Sequence, residues 1–200
     1  MARFVNIEQK GGGNYLKENK TWAKQSIAHN TLVVNETSHF DGKYELGSKY
    51  HSQRFFSKTS DDKVQVVSAK EGSAYPGVVM HRTVAMIQSK EFDKPMLLDV
   101  FKVNANKKNT YDFPIHFMGQ VIQTNFEYAA PGTLETLGTK NGYQHLYLEA
   151  SGISKKGNGK LTWMRNNLYY TWTSSTKEGD VFLVTRLGAY DHEFILRRDA

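Results

Sequence analysis

The 200-residue chain contains no cysteine, which excludes disulfides and thiol catalysis. No apolar run approaches the roughly 18 residues of a membrane-spanning helix, and the mean hydropathy is −0.57. The first residues, Met1 to Val5, lack the basic start and apolar stretch of a secretory signal. No glycine-rich phosphate loop precedes a helix, no Gly-x-Ser-x-Gly elbow occurs, and no paired-carboxylate motif stands out. The aromatic pattern of RNA-recognition modules is absent too. Acidic residues are in deficit, 20 against 26 Lys and Arg, giving a formal net charge of +6. That balance favours an anionic partner: nucleic acid, anionic lipid or acidic polysaccharide. The basic residues are scattered and form no nucleic-acid-binding arm.

What is present reads as β-structure. Segments rich in Val, Ile, Phe, Tyr, Trp and Thr predict strands at 3–8, 31–35, 52–57, 64–69, 78–87, 96–103, 111–117, 144–150, 160–165, 168–173 and 181–187. Val64 and Val66 alternate with Gln65, the period of a half-buried strand. Turn signals punctuate the runs at Asp41-Gly42, Pro76-Gly77, 106–109, Pro131-Gly132, Asn141-Gly142, 156–159 and 178–180. Helical periodicity is confined to Thr21–Ile27 and Pro131–Leu137, a turn or two each. Many short strands with few helices predict one all-β domain over 1–200, an antiparallel β-sandwich.

Three residues stand out for chemistry. Tyr15 follows the glycines 11–13, with Lys17, Lys20 and Lys24 close behind. Neighbouring cations favour the phenolate and make a phenol a better proton shuttle; the alternative is a ring packed at the sandwich edge. His29 stands at the mouth of an apolar run, and neutral imidazole is a common metal ligand. One histidine is not a site, however. Neither His39, Asp41, His51 nor His81 lies at the i, i+4 spacing that would complete one. Arg3 opens the chain beside Asn6 and Glu8, and a guanidinium grips a carboxylate with two parallel hydrogen bonds.

The runs 2–10 and 12–31, with the tail 186–198, closely resemble the C-terminal region of the heparinase II/III-like polysaccharide lyases. The nearest branch is the oligoalginate lyases of polysaccharide lyase family 17. The resemblance implies a two-domain parent enzyme, periplasmic or secreted, with an N-terminal (α/α) toroid and a C-terminal antiparallel β-sandwich. This chain corresponds to the sandwich without the toroid. Matched residue by residue, Tyr15 falls on the family's sandwich-domain catalytic tyrosine. His29 falls on a ligand of a structural zinc ion whose other ligands lie outside this chain. Arg3 falls on an arginine that contacts a substrate carboxylate. The implied substrate is an acidic polysaccharide, alginate, cleaved by β-elimination; neither nucleic acid nor a membrane is an expected partner. Two alternatives remain at this stage: a heparin or glycosaminoglycan lyase domain, and a non-catalytic sandwich that binds acidic glycans.

Overall fold

The computed structural model describes residues 17–189, 191 and 194. It is all-β, and every strand pairing in it is antiparallel. The chain divides into two compact units, one formed by 33–112 and the other by the flanking segments 1–32 and 113–200.

In the central unit, strands β2 (Gln53–Lys58), β3 (Val64–Tyr75), β4 (Val78–Ile87) and β5 (Met96–Ala105) form a meander in sequential order. The expected strand at 78–87 has the observed bounds, whereas β3 runs on to Tyr75. The β3–β4 hairpin closes on Pro76-Gly77, with Tyr75 opposite Val78. Proline presets the first central position, and Gly77 takes the second at φ +72°. β1 (Val33–Val34) pairs with β6 (Tyr111–Asp112), both shorter than the sequence predicts. Val33, Val34, Tyr75, Val78 and Met80 are buried here. The Tyr75 hydroxyl donates to the Thr37 carbonyl at 2.6 Å and accepts from the Val34 amide at 3.3 Å.

The flanking unit holds β7 (Gln120–Thr124), β8 (Leu146–Ile153), β9 (Gly157–Arg165), β10 (Leu168–Thr176) and β11 (Val181–Leu187). One sheet has the order β10-β9-β7 and the other pairs β11 with β8. Asn166 and Asn167, at φ +50° and +60°, close the β9–β10 hairpin as a type I′ turn, which suits strand twist. The two sheets meet through Phe182 of β11, stacked on Phe126 at 4.1 Å and edge-on to Trp172 of β10. A side-chain carbon on Gly159 of β9 would strike the Phe182 ring, so glycine is required for the sheets to approach. This face-to-face packing of antiparallel sheets is the expected sandwich arrangement.

Two expectations need correcting. Residues 131–137 form no helix. Their backbone pairs with β8 instead: Leu137 N–H bonds the Leu146 carbonyl, and Leu148 N–H bonds the Glu135 carbonyl, each at 2.9 Å. β7 is a strand that the sequence reading omits. The expected strand at 3–8 lies outside the described residues.

Candidate functional site

Arg3 and Tyr15 lie outside the described residues. His29 does not, and the segment leading to it is built in detail. A wide helical turn, Asn19–Ala23, is followed by a 3-10 turn, Ser26–Ala28. The expected helical stretch at 21–27 is therefore two short turns, separated by Gln25 in an extended conformation. His29 ends the second turn with extended backbone, φ −127° and ψ 151°.

Trp22 anchors this segment. It is 1% exposed, and its indole meets the rings of His116, His145 and Phe194 edge-on, at 5.8, 6.3 and 6.5 Å. Such edge-to-face contacts suit the ring quadrupole. Gly142 lets this happen: it sits at φ +94°, and a Cβ there would come within 2.5 Å of Ile27 Cγ2. Only glycine takes that backbone freely.

His116 ties the His29 loop down. Its amide donates to Asn30 Oδ1 at 2.8 Å, and its Nε2 lies 2.7 Å from the Ile27 carbonyl. A carbonyl only accepts, so Nε2 carries the proton. Burial lowers the affinity of His116 for a second proton; the Ile27 carbonyl opposes that shift and nearby His29 adds to it. His145 also meets Trp22 edge-on and is 6% exposed. Thr21 Oγ1 donates to the Lys17 carbonyl and accepts from His145 Nε2 at 2.9 Å. That leaves Nδ1 of His145 buried with no hydrogen-bond partner among the described residues. Burial pushes His145 below the ordinary 6.5, Asp191 and Glu18 pull it back up, and Lys17 adds to the lowering. Both imidazoles are thereby kept neutral at neutral pH and act as packed, hydrogen-bonded supports.

His29 itself is exposed, with Nε2 3.0 Å from the Ala23 carbonyl. By the same logic Nε2 donates, which makes Nδ1 the ring's lone-pair atom. Metal-binding histidines usually have one ring nitrogen held by a carbonyl or carboxylate, as Nε2 of His29 is held by Ala23. No cluster of three metal-capable side chains occurs among the described residues. His29 therefore suits one position of a metal site, and the described residues supply no further ligands for it. His116 and His145 escaped the sequence reading because they come from loops far along the chain, with no local spacing to mark them.

The family described as Heparinase II/III-like, C-terminal, matches residues 6–199. An alginate lyase of Stenotrophomonas maltophilia (strain K279a) is 42% identical over 200 residues, which are 99% of this chain and 27% of that protein. An exo-oligoalginate lyase of Saccharophagus degradans (strain 2-40) is 39% identical over 201 residues, covering 98% of this chain and 27% of that protein. The chain thus spans about a quarter of the length of these curated relatives. With a family match over nearly its whole length and an antiparallel all-β fold, the chain belongs to the heparinase II/III-like C-terminal family.

Proposed function

We propose that this chain is the C-terminal β-sandwich of an alginate or oligoalginate lyase, which cleaves a uronic-acid polysaccharide by β-elimination. The observation that carries the proposal is the likeness, at 39% and 42% identity over essentially the whole chain, to two proteins named as alginate lyases. The net positive charge suits a polyanionic substrate.

A basic group of the full-length protein takes the proton from C5 of the uronate, the C4–O4 bond breaks, and an acid protonates the departing O4. The electron pair left at C5 becomes the C4=C5 double bond of the new chain end, and no water is consumed. In this reading the Arg3 guanidinium binds the C5 carboxylate and stabilises the enolate-like charge that builds up as the proton leaves. The Tyr15 hydroxyl gives its proton to O4. A zinc ion, when bound, supplies loop anchorage and no bond-making. His29 provides one ligand, and the Ala23 carbonyl fixes its tautomer. Trp22, His116 and Asn30 keep the 17–32 segment that carries His29 in place. The parent protein acts in the periplasm or outside the cell, where such polymers are met.

The test is the full-length protein incubated with alginate oligomers, read by ultraviolet absorbance of the unsaturated uronate. Product from alginate is expected. Product from heparin and none from alginate would reassign the protein to the glycosaminoglycan lyases.

A further inference from the structure

The four-stranded sheet carries a feature that the chemistry above does not use. Cross-strand register places Gln53 of β2 opposite Lys70 of β3, Lys70 opposite His81 of β4, and His81 opposite Lys102 of β5. Residues directly opposite one another point to the same face of a sheet. One polar row, with three basic members, therefore crosses all four strands at the strand spacing of about 4.8 Å. Lys58 projects from the same face, opposite Val66. No strand position on this face is acidic. The carboxylates of β3 and β5, Glu71 and Asp99, belong to the opposite face, where Asp99 is bridged to Arg82 at 2.6 Å. Among the described residues neither Lys70 nor Lys102 is paired with a carboxylate.

The row is also held in shape. β2 has a register shift between Arg54 and Phe56, and the residue inside it, Phe55, swings onto this face. Bulges re-aim side chains in this way. The Phe55 ring lies 4.8 Å from the His81 ring, edge to face, and Lys70 Nζ sits 3.8 Å from the Phe55 centroid. A cation over an aromatic face is attracted by the ring quadrupole. His81 Nε2 is fixed from below by Ser68 Oγ at 2.7 Å, and that hydroxyl, 3% exposed, also bonds Thr83 Oγ1 at 2.8 Å. Lysines that merely discourage edge pairing sit on edge strands. Lys70 and His81 are on the two central ones.

We infer that this row is an accessory binding track for an acidic polysaccharide, made of residues that take no part in the proposed elimination, with Lys70, His81 and Lys102 engaging successive carboxylates and Gln53 a hydroxyl. The inference rests on the proposed substrate class. Strand spacing and one sign of charge fit a polymer with regularly repeated carboxylates. The braced Lys70 and His81 lose little freedom on binding.

The experiment is affinity electrophoresis of the full-length protein through native gels containing sodium alginate, dextran or no polymer. Wild type is compared with Lys70→Gln/Lys102→Gln and with Lys90→Gln/Lys94→Gln, a control of equal charge in the β4–β5 loop. Circular dichroism shows that each variant is folded. Retardation by alginate but not dextran is expected. It should be about five- to tenfold weaker in the track variant, the sum of two exposed ion pairs, and unchanged in the control. Equal retardation of all three proteins, or none of the wild type, overturns the inference. Comparable retardation by duplex DNA at equal salt, lost in the same variant, also overturns it, by making the row a general polyanion site. The lyase assay is read separately: product without track-dependent retardation removes only the track, and retardation without product removes only the lyase reading.

Discussion

Truncating Trp22 to alanine tests whether this residue holds the segment between Tyr15 and His29. The side chain is 1% exposed and touches three rings. Burying an indole removes roughly 150–250 Å² from water, which at about 25 cal/mol per Å² sets an upper bound of about 4–6 kcal/mol. Large-to-small substitutions of buried aromatics cost about 3–5 kcal/mol. Little collapse is available here, because Gly142 and Ile27 on one side and His145 and Phe194 on another are held by backbone geometry and ring contacts. Trp22→Ala should therefore cost about 3–5 kcal/mol. Hydrogen exchange read by mass spectrometry on peptides covering 17–32 reports this without requiring the whole protein to unfold in one step. Their exchange should speed up by about two to four orders of magnitude, since 1.4 kcal/mol is a factor of ten. Trp22→Phe should fall between wild type and alanine. An acceleration below about tenfold in Trp22→Ala would mean that the segment is held by something other than this ring cluster.

Three further outcomes follow from the same region. His116 and His145 bind a proton less readily folded than unfolded, because burial disfavours the charged rings. The unfolded chain therefore holds more protons below their ordinary value of 6.5. Their contribution to stability is fully present above that value and is lost as pH falls from 6.5 towards the depressed folded values. Urea midpoints measured through this window should drop on acidification, and His145→Gln should flatten part of the slope; an unchanged slope counts against buried neutral imidazoles. Gly142→Ala combines a left-handed backbone with a 2.5 Å approach to Ile27, and should destabilise by about 1–3 kcal/mol in thermal or urea unfolding. Stabilisation by this change would contradict the packing described. Finally, elemental analysis of the purified full-length protein should find about one zinc per chain, lost in His29→Ala. Retention of zinc by that variant would remove His29 from the ligand set.

Much of the fold is legible in the sequence, where local pattern and turn chemistry agree. β4 and β11 have the predicted bounds because a run of Val, Met, Ile, Leu and Thr is fenced by Pro76-Gly77 in one case and Gly179-Asp180 in the other. β7 was not legible: its five residues offer only Val121 and Ile122 between polar neighbours, and its existence depends on pairing with β9. Residues 131–137 mislead in the opposite direction. Their spacing suits a helical turn, yet β8 captures their amides and carbonyls, and pairing with a neighbouring strand outweighs weak helical preference. For the site, the resemblance singles out Arg3, Tyr15 and His29, but the groups that hold His29 in place are invisible locally. Asn30 and His116 meet only after folding, and so do Thr21 and His145. The basic row has the same character. Lys70, His81 and Lys102 look scattered along the chain and are aligned only by strand register.

If this sandwich contributes a proton donor to β-elimination, Tyr15→Phe in the full-length protein is the decisive substitution. The change removes one hydroxyl and keeps the ring, so folding and oligomer binding should be preserved. Loss of a positioned general acid lowers turnover by about 10²–10⁴-fold. A fall in kcat of that size is expected on alginate oligomers, read from unsaturated uronate, with KM little changed. A kcat within about tenfold of wild type would contradict it.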